Sequence, residues 1–378
     1  MDSMSDLKTN IDYIYNDDAL RALKTMESGS VNCIVTSPPY YALRNYEMDE
    51  QIGLEQTPEE YIQKLVDVFH EAKRVLKEDG TLWLNIGDSY WGSGSRGFDF
   101  TDLPLEHSQI QKGSKGTMDL SAIPKLVGNV GVYKNKDLIG IPWMLAFALR
   151  ADGWYLRQDI IWAKANNMPE SVKDRCTKSH EYIFLLSKSE KYYFDNEAIQ
   201  EEAVSVNDKR AGKGRLEYDG KRSDTDSLNV GKSFVSITDK RNKRDVWSEG
   251  SEHYKNLQEK GQQPNKMHIR RAEGLQDVHY ETRNKRDVWR VSTKPVKEAH
   301  FATFPEELIT PCVLAGCPKN GVVLDPFLGS GTTGVVAHNL GRHYVGIELN
   351  PKYVEIAKRR ISKAAYQMDL LEDCMQEA

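Results

Sequence analysis

The chain has 378 residues and a formal net charge of −5, with 39% hydrophobic and 28% charged residues. This length suffices for one large α/β core with an inserted module, or for two modest domains. No apolar run approaches the roughly 20 residues that span a bilayer, and the N-terminus lacks the apolar stretch of a signal peptide. The five cysteines are scattered and contain no C-x-x-C pair, which favours neither a disulfide framework nor a zinc site. We therefore predict a cytoplasmic protein without membrane segments or a bound metal.

The first elements lead to a turn with two prolines. Residues 13–15 are a short β-like run, 19–26 a helix, and the apolar run 31–35 a buried parallel strand. This strand ends at Thr36-Ser37-Pro38-Pro39-Tyr40, because two prolines cannot continue a central strand. Open α/β sheets place their ligands at the carboxyl ends of such strands, so the turn is a candidate catalytic site.

The turn carries groups that suit chemistry on the exocyclic amino group of a base. The amino nitrogen of cytosine or adenine is a poor nucleophile, because its lone pair is delocalised into the ring. The Ser37 hydroxyl and the Pro38 carbonyl could accept both amino hydrogens and favour a more pyramidal nitrogen. Tyr40 offers a flat face for a base taken out of the stack; the alternative is a proline-rich turn with an exposed tyrosine. Cys33 lies inside the strand, which disfavours methylation of a ring carbon through a covalent adduct.

The middle of the chain alternates ordered elements with a long irregular segment. Thr57-Pro58-Glu59-Glu60 predicts a helix start, with Thr57 as cap, and residues 81–86 predict a strand. Residues 89–135 are rich in Gly and Ser with little periodicity, which predicts a mobile surface loop. Order returns with a helix at 141–151 and strands at 155–163 and 182–186.

Residues 196–290 are polar, weakly patterned and locally basic. Residues 205–290 hold 20 Lys and Arg against 14 Asp and Glu, a local charge of +6 in a chain whose remainder carries −11. The sequence Arg-Asn-Lys-Arg-Asp-Val-Trp occurs at 241–247 and again at 283–289, and two copies do not make a solenoid. A basic stretch is either a solvated loop or a nucleic-acid contact. The candidate DNA-binding residues are the basic ones of the two copies: Arg241, Lys243, Arg244, Arg283, Lys285 and Arg286.

The last ninety residues contain a nucleotide-binding pattern. A helix starts around Pro305, and strand 322–324 runs into a glycine turn with Gly329, Gly331 and Gly334, followed by a helix and strand 344–347. Glu348 then lies 19 residues past Gly329, a spacing that suits an acid holding ribose hydroxyls. Glycines let a backbone approach the ligand, and a helix N-terminus offers free N–H groups. The alternative is a glycine turn without a ligand.

The nearest functional alternative for this pattern is a nicotinamide dehydrogenase. Such an enzyme needs further strands after the glycine unit, whereas here one strand and one final helix, starting at Asn350-Pro351, follow. The missing strands must come from earlier sequence, so we predict a permuted sheet. Asp325, just before the glycines, suits the cationic methionine part of S-adenosylmethionine better than a pyrophosphate.

With these motifs the sequence resembles the amino-methylating DNA methyltransferases of bacteria and phages, in the permuted order called the β class. The resemblance covers most of the chain. It implies that Ser37, Pro38, Pro39 and Tyr40 form the catalytic motif. It also implies contacts to S-adenosylmethionine from Asp17, Phe301, Ala302, Thr303, Phe304, Asp325, Phe327, Gly329, Gly331, Thr332 and Glu348. Asp17 is equally well explained as a helix-capping acid. His180-Glu181 and Trp162-Lys164-Asn166 also resemble family segments; we assign them no role and expect His180 and Trp162 in core or loop packing.

The combined interpretation is an α/β protein with a circularly permuted, Rossmann-like methyltransferase sheet. We predict a catalytic half at 1–195, a target-recognition region at 196–290, and a cofactor-binding half at 291–378. The expected activity is methyl transfer from S-adenosylmethionine to a flipped base in double-stranded DNA, at cytosine N4 or alternatively adenine N6. The sequence also leaves open an RNA or protein methyltransferase and a catalytically dead DNA-binding protein. A cognate restriction endonuclease is a candidate partner.

Overall fold

The fold was obtained as a computed structural model. The structure describes residues 8–43, 45, 46, 48, 50–92, 132–167, 170, 172–202, 282, 283, 285–293 and 304–376, and of residues 202, 282, 283 and 368–376 it describes the backbone only. Most of the loop predicted at 89–135 and most of the recognition region predicted at 196–290 therefore lie outside the described residues.

Strands within the described residues form one large sheet and one small one. The strands are β1 (Tyr13–Tyr15), β2 (Val31–Thr36), β3 (Leu76–Ile86), β4 (Tyr155–Lys164), β5 (His180–Ser187), β6 (Glu201–Glu202), β7 (Thr282–Arg283), β8 (Val288–Val291), β9 (Val322–Asp325) and β10 (His343–Ile347). Eight of them form the large sheet, in the order β1-β10-β9-β2-β3-β5-β4-β8, while β6 and β7 pair with each other.

The helices are α1 (Ala19–Lys24), α2 (Pro58–Val75), α3 (Ile141–Ala151), α4 (Glu306–Gly316), α5 (Thr332–Asn339) and α6 (Pro351–Gln376). The predicted start of α2 is confirmed: Thr57 has an extended backbone, its side chain accepts a hydrogen bond from the Glu60 N–H at 3.2 Å, and Pro58 occupies the first turn. The final helix extends to Gln376. Its first turn is capped by the Asn350 side chain, which accepts from the Lys352 N–H at 2.9 Å.

The order of the strands confirms the permuted α/β fold. The two strands that flank the glycine turn in sequence, β9 and β10, come from the end of the chain, yet they lie between β1 and β2 from its beginning. All neighbouring pairs are parallel except the two that involve β5, so β5 alone in this sheet runs in the opposite direction. This arrangement needs strands from both ends of the chain.

Helices cover both faces of the sheet, as expected when crossover connections join parallel strands. Side chains alternate between the faces along each strand. Ile34, Leu82 and Leu84 pack with α1, α2 and α3. Cys33, Val35 and Trp83 pack on the opposite face with α4. A smaller cluster joins α5 to α6.

Strand β8 was not predicted from the sequence. It pairs in parallel with β4 at the edge of the sheet, with Ile161 opposite Val288, and it buries Trp289 and Val291 in the core. Its first two residues belong to the second copy of the seven-residue repeat. In that copy, therefore, Val288 and Trp289 form part of a strand of the large sheet.

The chain divides into two compact units. The first comprises Met1–Asn167, Ser179–Ile199 and Arg286–Ala378 and contains the large sheet. The second comprises Met168–Lys178 and Gln200–Lys285; of it the structure describes 170, 172–178, 200–202, 282, 283 and 285. In the second unit, Arg175 pairs with Glu170 at 2.5 Å, and Lys285 with Glu201 at 3.5 Å. Among the described helices of the chain, none is long and apolar enough to cross a membrane.

Candidate active site

Most of the predicted catalytic and cofactor-binding residues that the structure describes lie at one edge of the large sheet. The carboxyl ends of the parallel strands meet there, together with the start of β5. Along this edge, the segments after β1, β10, β9, β2 and β3 follow one another in that order. After β9 the chain continues to β10 on one side, and after β2 it continues to β3 on the other side. The gap between β9 and β2 is therefore a topological switch point. Ligands of open α/β sheets bind at such points.

The turn predicted to be catalytic, Ser37–Tyr40, follows β2 at this switch point. Thr36 and Pro38 are buried, whereas Ser37, Pro39 and Tyr40 are partly exposed. The buried Tyr61 hydroxyl on α2 donates to the Pro39 carbonyl at 2.7 Å. This bond, added to the fixed φ angles of the two prolines, restricts the path of the turn, in which Ser37 stays partly exposed.

The Tyr40 ring is held by polar contacts from neighbouring strands. Its hydroxyl donates to Glu181 Oε2 at 2.7 Å and lies 3.4 Å from Asn85 Oδ1. Burial and the Glu181 carboxylate raise the pKa of Tyr40 well above its usual value, and a hydrogen bond with Ser37 opposes that rise. The phenol is therefore a neutral hydrogen-bond donor at physiological pH.

The glycine turn connects β9 to α5. Gly329 has φ +54° and Gly331, the N-cap of α5, has φ +86°, conformations that residues with a side chain rarely adopt. A Cβ at Gly331 would lie 2.8 Å from Ala357 Cβ on α6, whereas one at Gly329 would meet its nearest neighbour, the Phe327 carbonyl oxygen, at 4.0 Å. Gly331 is thus required by the packing of α6, and open space lies beside Gly329.

Arg360 of α6 supports this turn from behind. Its guanidinium donates to the Ser330 carbonyl at 2.8 Å, the Ser330 hydroxyl at 2.9 Å and the Thr332 hydroxyl at 3.1 Å. Ser330 and Thr332 are both buried. Thr332 therefore contributes to the conformation of the turn. Arg360 was not predicted from the sequence, because these partners lie about thirty residues away in the chain.

Glu348 lies at the end of β10, next to the glycine turn. Its carboxylate accepts hydrogen bonds from the Gly329 N–H and the Asn350 N–H, both at 2.8 Å. Burial raises the pKa of Glu348 to about 7, although these two bonds oppose the shift. The acid predicted to hold ribose hydroxyls is thus partly buried at the sheet edge beside the glycines.

Asp17 follows β1, the strand that pairs with β10, so it lies at the same edge as Glu348. The predicted alternative for Asp17 was helix capping, but the N-cap of α1 is Asp18, which accepts from the Arg21 N–H at 2.9 Å. Asp17 accepts from the Asp18 N–H at 2.8 Å and pairs with the Arg21 side chain at 2.5 Å. It does not cap the helix.

Asp325 is a buried link between the glycine turn and β2. Its carboxylate accepts from the Thr36 and Thr333 hydroxyls, each at 2.6 Å, and from the Phe327 N–H at 3.0 Å. Burial raises its pKa to about 6. These donors come from β2, α5 and the turn itself. The carboxyl group therefore connects the proline turn after β2 with the glycine turn after β9, although Thr36 and Asp325 are 289 positions apart in the sequence.

The remaining predicted residues divide between described and undescribed parts of the chain. Phe327 is partly buried, with its ring centroid 6.4 Å from that of Phe69, and Phe304 packs against the core of α4. Arg286 precedes β8, and its carbonyl accepts from the Trp289 indole at 2.6 Å. Residues outside the description are Phe301, Ala302, Thr303, Arg241, Lys243 and Arg244, and of Arg283 the backbone alone is described.

Asp88 follows β3 at the same edge of the sheet and was not predicted from the sequence. Its carboxylate accepts from the Gly140 N–H at 3.0 Å and from the Ile141 N–H at 3.1 Å, at the first turn of α3. It also accepts from the Ser89 N–H at 2.9 Å. A helix cap supplied from 52 residues upstream has no local sequence signature.

Comparisons with known proteins identify the family. A sequence model described as DNA methylase, of the N6/N4 type, matches residues 31–359. The chain is 44% identical over 357 residues to the Type II methyltransferase M.Cfr9I of Citrobacter freundii, covering 94% of this chain and 89% of that protein. It is 41% identical over 344 residues to M.SmaI of Serratia marcescens, covering 91% and 88%.

A solved structure shares the fold. The PvuII DNA methyltransferase (cytosine-N4-specific) is similar with a TM-score of 0.50 at 17% identity, covering 93% of this chain and 87% of that one. At this level of identity the likeness concerns the fold alone. The family match and the identity to the Type II methyltransferases show more: this chain belongs to the N6/N4 DNA methylase family and is an S-adenosylmethionine-dependent DNA methyltransferase.

Proposed function

We propose that this enzyme methylates the N4 atom of a cytosine flipped out of double-stranded DNA, with adenine N6 as the alternative target. One observation carries this proposal: the Ser37–Tyr40 turn lies directly beside the glycine turn, across the Thr36–Asp325 hydrogen bond of 2.6 Å. A base at the first turn and a methyl donor at the second would share one crevice. Proximity of this kind accounts for a large part of enzymatic rate enhancement.

The residues at the glycine turn fit S-adenosylmethionine. Open space lies beside Gly329, the α5 N-terminus offers backbone N–H groups, and Glu348 presents acceptors for ribose hydroxyls. Asp17 and Phe327 would border the adenosine, together with Phe301, Ala302, Thr303 and Phe304. Asp325 and Thr332 would act by shaping the turn, because their side chains are engaged with Thr36, Thr333 and Arg360. The bound molecule supplies an electrophilic methyl group carried on a sulfonium.

The catalytic turn would prepare the target nitrogen for attack. The Ser37 hydroxyl and the Pro38 carbonyl would accept its two hydrogens, which aligns the lone pair and stabilises the positive charge on nitrogen as the N–C bond forms. The bond from the methyl carbon to the sulfonium sulfur breaks at the same time, and a neutral thioether is the leaving group. The nitrogen then releases one proton to solvent or to an acceptor in the turn. Tyr40 stacks on the base, a contact worth about 1–3 kcal/mol per base in single-stranded complexes.

The preference for cytosine rests on Ser37. Among the β-class enzymes that the sequence resembles, serine at this position is usual for cytosine, whereas adenine enzymes more often carry Asp or Asn. Either base presents a planar amino group with two hydrogens, so a hydroxyl and a carbonyl could serve both. The choice of base therefore depends on the resemblance.

The basic region 196–290 is proposed to carry target recognition and most of the DNA affinity, because its charge is opposite to that of the rest of the chain. We propose that the enzyme acts in the cytoplasm. Its relatives are named Type II methyltransferases, so a restriction endonuclease with the same target sequence is the proposed partner.

Nucleoside mass spectrometry tests the reaction and the base together. Duplex DNA is incubated with the protein and S-adenosylmethionine, digested and analysed; we expect N4-methylcytosine. N6-methyladenine without N4-methylcytosine would reject the choice of base but keep the reaction. Methyl transfer to RNA or protein, and none to DNA, would reject the proposed substrate. No methyl transfer to any of them would indicate a DNA-binding protein without catalytic activity.

Ser37→Ala tests the role of the catalytic turn. We expect the methyl-transfer rate to fall by roughly 10²–10³, the usual effect of removing one preorganised polar group at a transition state. Ser362→Ala, at an exposed position of α6, is the matched control and should retain the wild-type rate. Equal rates for both variants would exclude Ser37 from the chemistry.

A further inference from the structure

A polar cluster next to Tyr40 is not used by the proposed chemistry. It contains Glu181 at the start of β5, Lys164 at the end of β4 and Asn85 near the end of β3. The side chains of Glu181 and Lys164 are 12% and 21% exposed, and Asn85 is buried. Charged side chains are seldom buried to this extent unless they are paired.

Glu181 is the centre of this cluster. One carboxylate oxygen, Oε2, accepts from the Tyr40 phenol at 2.7 Å and from Asn85 Nδ2 at 3.4 Å. The other, Oε1, forms a salt bridge with Lys164. The ammonium of Lys164 lies 4.8 Å from the Trp162 ring centroid, a cation–π distance. Both oxygens are thus engaged, and the carboxylate is locked in one orientation.

Gly87 makes this close approach sterically feasible. A Cβ at this position would lie 2.8 Å from Tyr40 Cε2 and 3.3 Å from Glu181 Cγ. The space is therefore occupied by the tyrosine ring and the glutamate side chain together. Both the hydrogen bond at the hydroxyl and the packing at the ring edge restrict rotation of the Tyr40 ring.

We propose that Glu181, oriented by Lys164, is a positioning residue that fixes the plane of the Tyr40 ring so that it is preorganised to stack on the target base. This inference rests on the proposed function of Tyr40. Glu181 would not contact the methyl donor and would not exchange a proton with the base. Glu181 acts through its hydrogen bond with the Tyr40 phenol. This would explain why the residue is a tyrosine, since stacking alone does not require a hydroxyl group.

A double-mutant cycle tests this dependence, with the single-turnover rate of methyl transfer to duplex DNA as the measurement. In the wild-type background, Glu181→Ala should lower the rate about tenfold, as expected for a lost hydrogen bond to a charged group. In the Tyr40→Phe background, the same substitution should lower it about twofold or less, because the hydroxyl is already absent. Glu181→Gln, whose amide oxygen can still accept from the phenol, should retain more activity than Glu181→Ala.

The control is Glu78→Ala, which removes a salt bridge between Glu78 and Lys188 at the opposite edge of the sheet. Glu181→Ala leaves the Lys164 ammonium without its carboxylate partner and should lower the unfolding temperature equally in both backgrounds, so the cycle cancels this loss. All variants should remain folded at the assay temperature and bind S-adenosylmethionine with similar affinity in calorimetry, which separates positioning from loss of folding. Equal rate losses from Glu181→Ala in both backgrounds would overturn the proposal. So would a loss of S-adenosylmethionine affinity as large as the loss of rate.

Fluorine NMR reports on the ring independently of methyl transfer. In protein that contains fluorotyrosine, the Tyr40 signal is identified by its absence from Tyr40→Phe. It should shift in Glu181→Ala and stay in place in Glu78→Ala; an unchanged signal in Glu181→Ala would refute the positioning role. If the signal shifts but the wild-type protein methylates no DNA, the ring is fixed as inferred and the proposed function is what fails.

Discussion

Glu348 shows how strongly the fold modifies one side chain. From the sequence it is an acid at a suitable distance from a glycine turn. In the structure it is partly buried, and two backbone N–H groups bind its carboxylate without fully offsetting the cost of burying the charge. Its pKa of about 7 means that it is only partly ionised under physiological conditions.

We expect the affinity for S-adenosylmethionine to depend on pH through this group. The ionised carboxylate is the better acceptor for ribose hydroxyls, so the dissociation constant should decrease as pH rises through about 7. Glu348→Gln should weaken binding at pH 8 and flatten the pH profile, measured by calorimetry. Glu355→Gln, an exposed position on α6, should keep the wild-type profile. Identical profiles for wild type and Glu348→Gln would contradict this assignment.

The same shift has the opposite consequence for stability without ligand. The folded-state pKa lies above the usual 4.5, so between these values the native protein retains a proton that the unfolded chain has lost. The contribution of Glu348 to the free energy of unfolding is therefore fully present below pH 4.5 and is lost as pH rises through about 7. Ligand binding and folding thus favour opposite protonation states of one residue.

At the scale of elements, two contacts join segments that lie far apart in the chain. The Asp325 carboxylate joins β9 to β2 and α5 through two threonine hydroxyls, and Asp88 joins the end of β3 to the start of α3. Gly140, the N-cap of α3, has no side chain to accept the first N–H groups of the helix. Asp88 performs that role from outside the helix.

Asp88→Ala should therefore destabilise the protein by about 1–2 kcal/mol, the usual cost of losing a helix cap. The free energy of unfolding from urea titration measures this loss, and Asp88→Asn, which keeps one acceptor oxygen, should lose less. The matched control, Asp67→Ala on the exposed side of α2, should stay within about 0.5 kcal/mol of wild type. A loss for Asp88→Ala no larger than that of the control would exclude the capping role.

At the scale of the whole molecule, the basic region differs in net charge from the rest of the chain. Residues 205–290 carry +6 and the remainder of the chain −11, so we expect the basic region to be the part that attracts DNA. The two copies of the repeat differ in their setting. The second leads into β8, where Trp289 is buried, and the first lies outside the described residues.

Replacing Arg241, Lys243 and Arg244 by alanine should weaken DNA binding and reduce its salt dependence. If each residue neutralises one phosphate, the slope of log affinity against log salt should become less steep by roughly 2–3. The corresponding triple at Arg283, Lys285 and Arg286 tests the second copy. Fluorescence anisotropy over a salt series measures both quantities.

The control for these triples removes the same charge elsewhere. Lys358, Arg359 and Lys363 are exposed on α6, and their replacement by alanine should leave the salt slope unchanged. Wild-type affinity and slope in both repeat triples would remove the basic region as the main source of DNA affinity.

The sequence by itself determined those features that depend on neighbouring residues. The cap of α2, the proline turn after β2 and the glycine turn before α5 are local, so their residues identify them. The permuted α/β fold was also predicted from the sequence, and the order of the strands confirms it. Family membership followed from these same motifs and is confirmed by the match over residues 31–359.

The tertiary structure alone decided which distant residues meet. Glu181 reaches the Tyr40 phenol across 141 positions, Asp325 reaches Thr36 across 289, and β8 joins the sheet beside β4. No periodicity or fixed spacing in the sequence indicates these contacts, because the order of the strands in the sheet, and not the distance along the chain, brings the residues together. The cap of α1 is a further example, because Asp17 and Asp18 are both acids that could cap a helix. Only the backbone geometry shows that Asp18 is the N-cap.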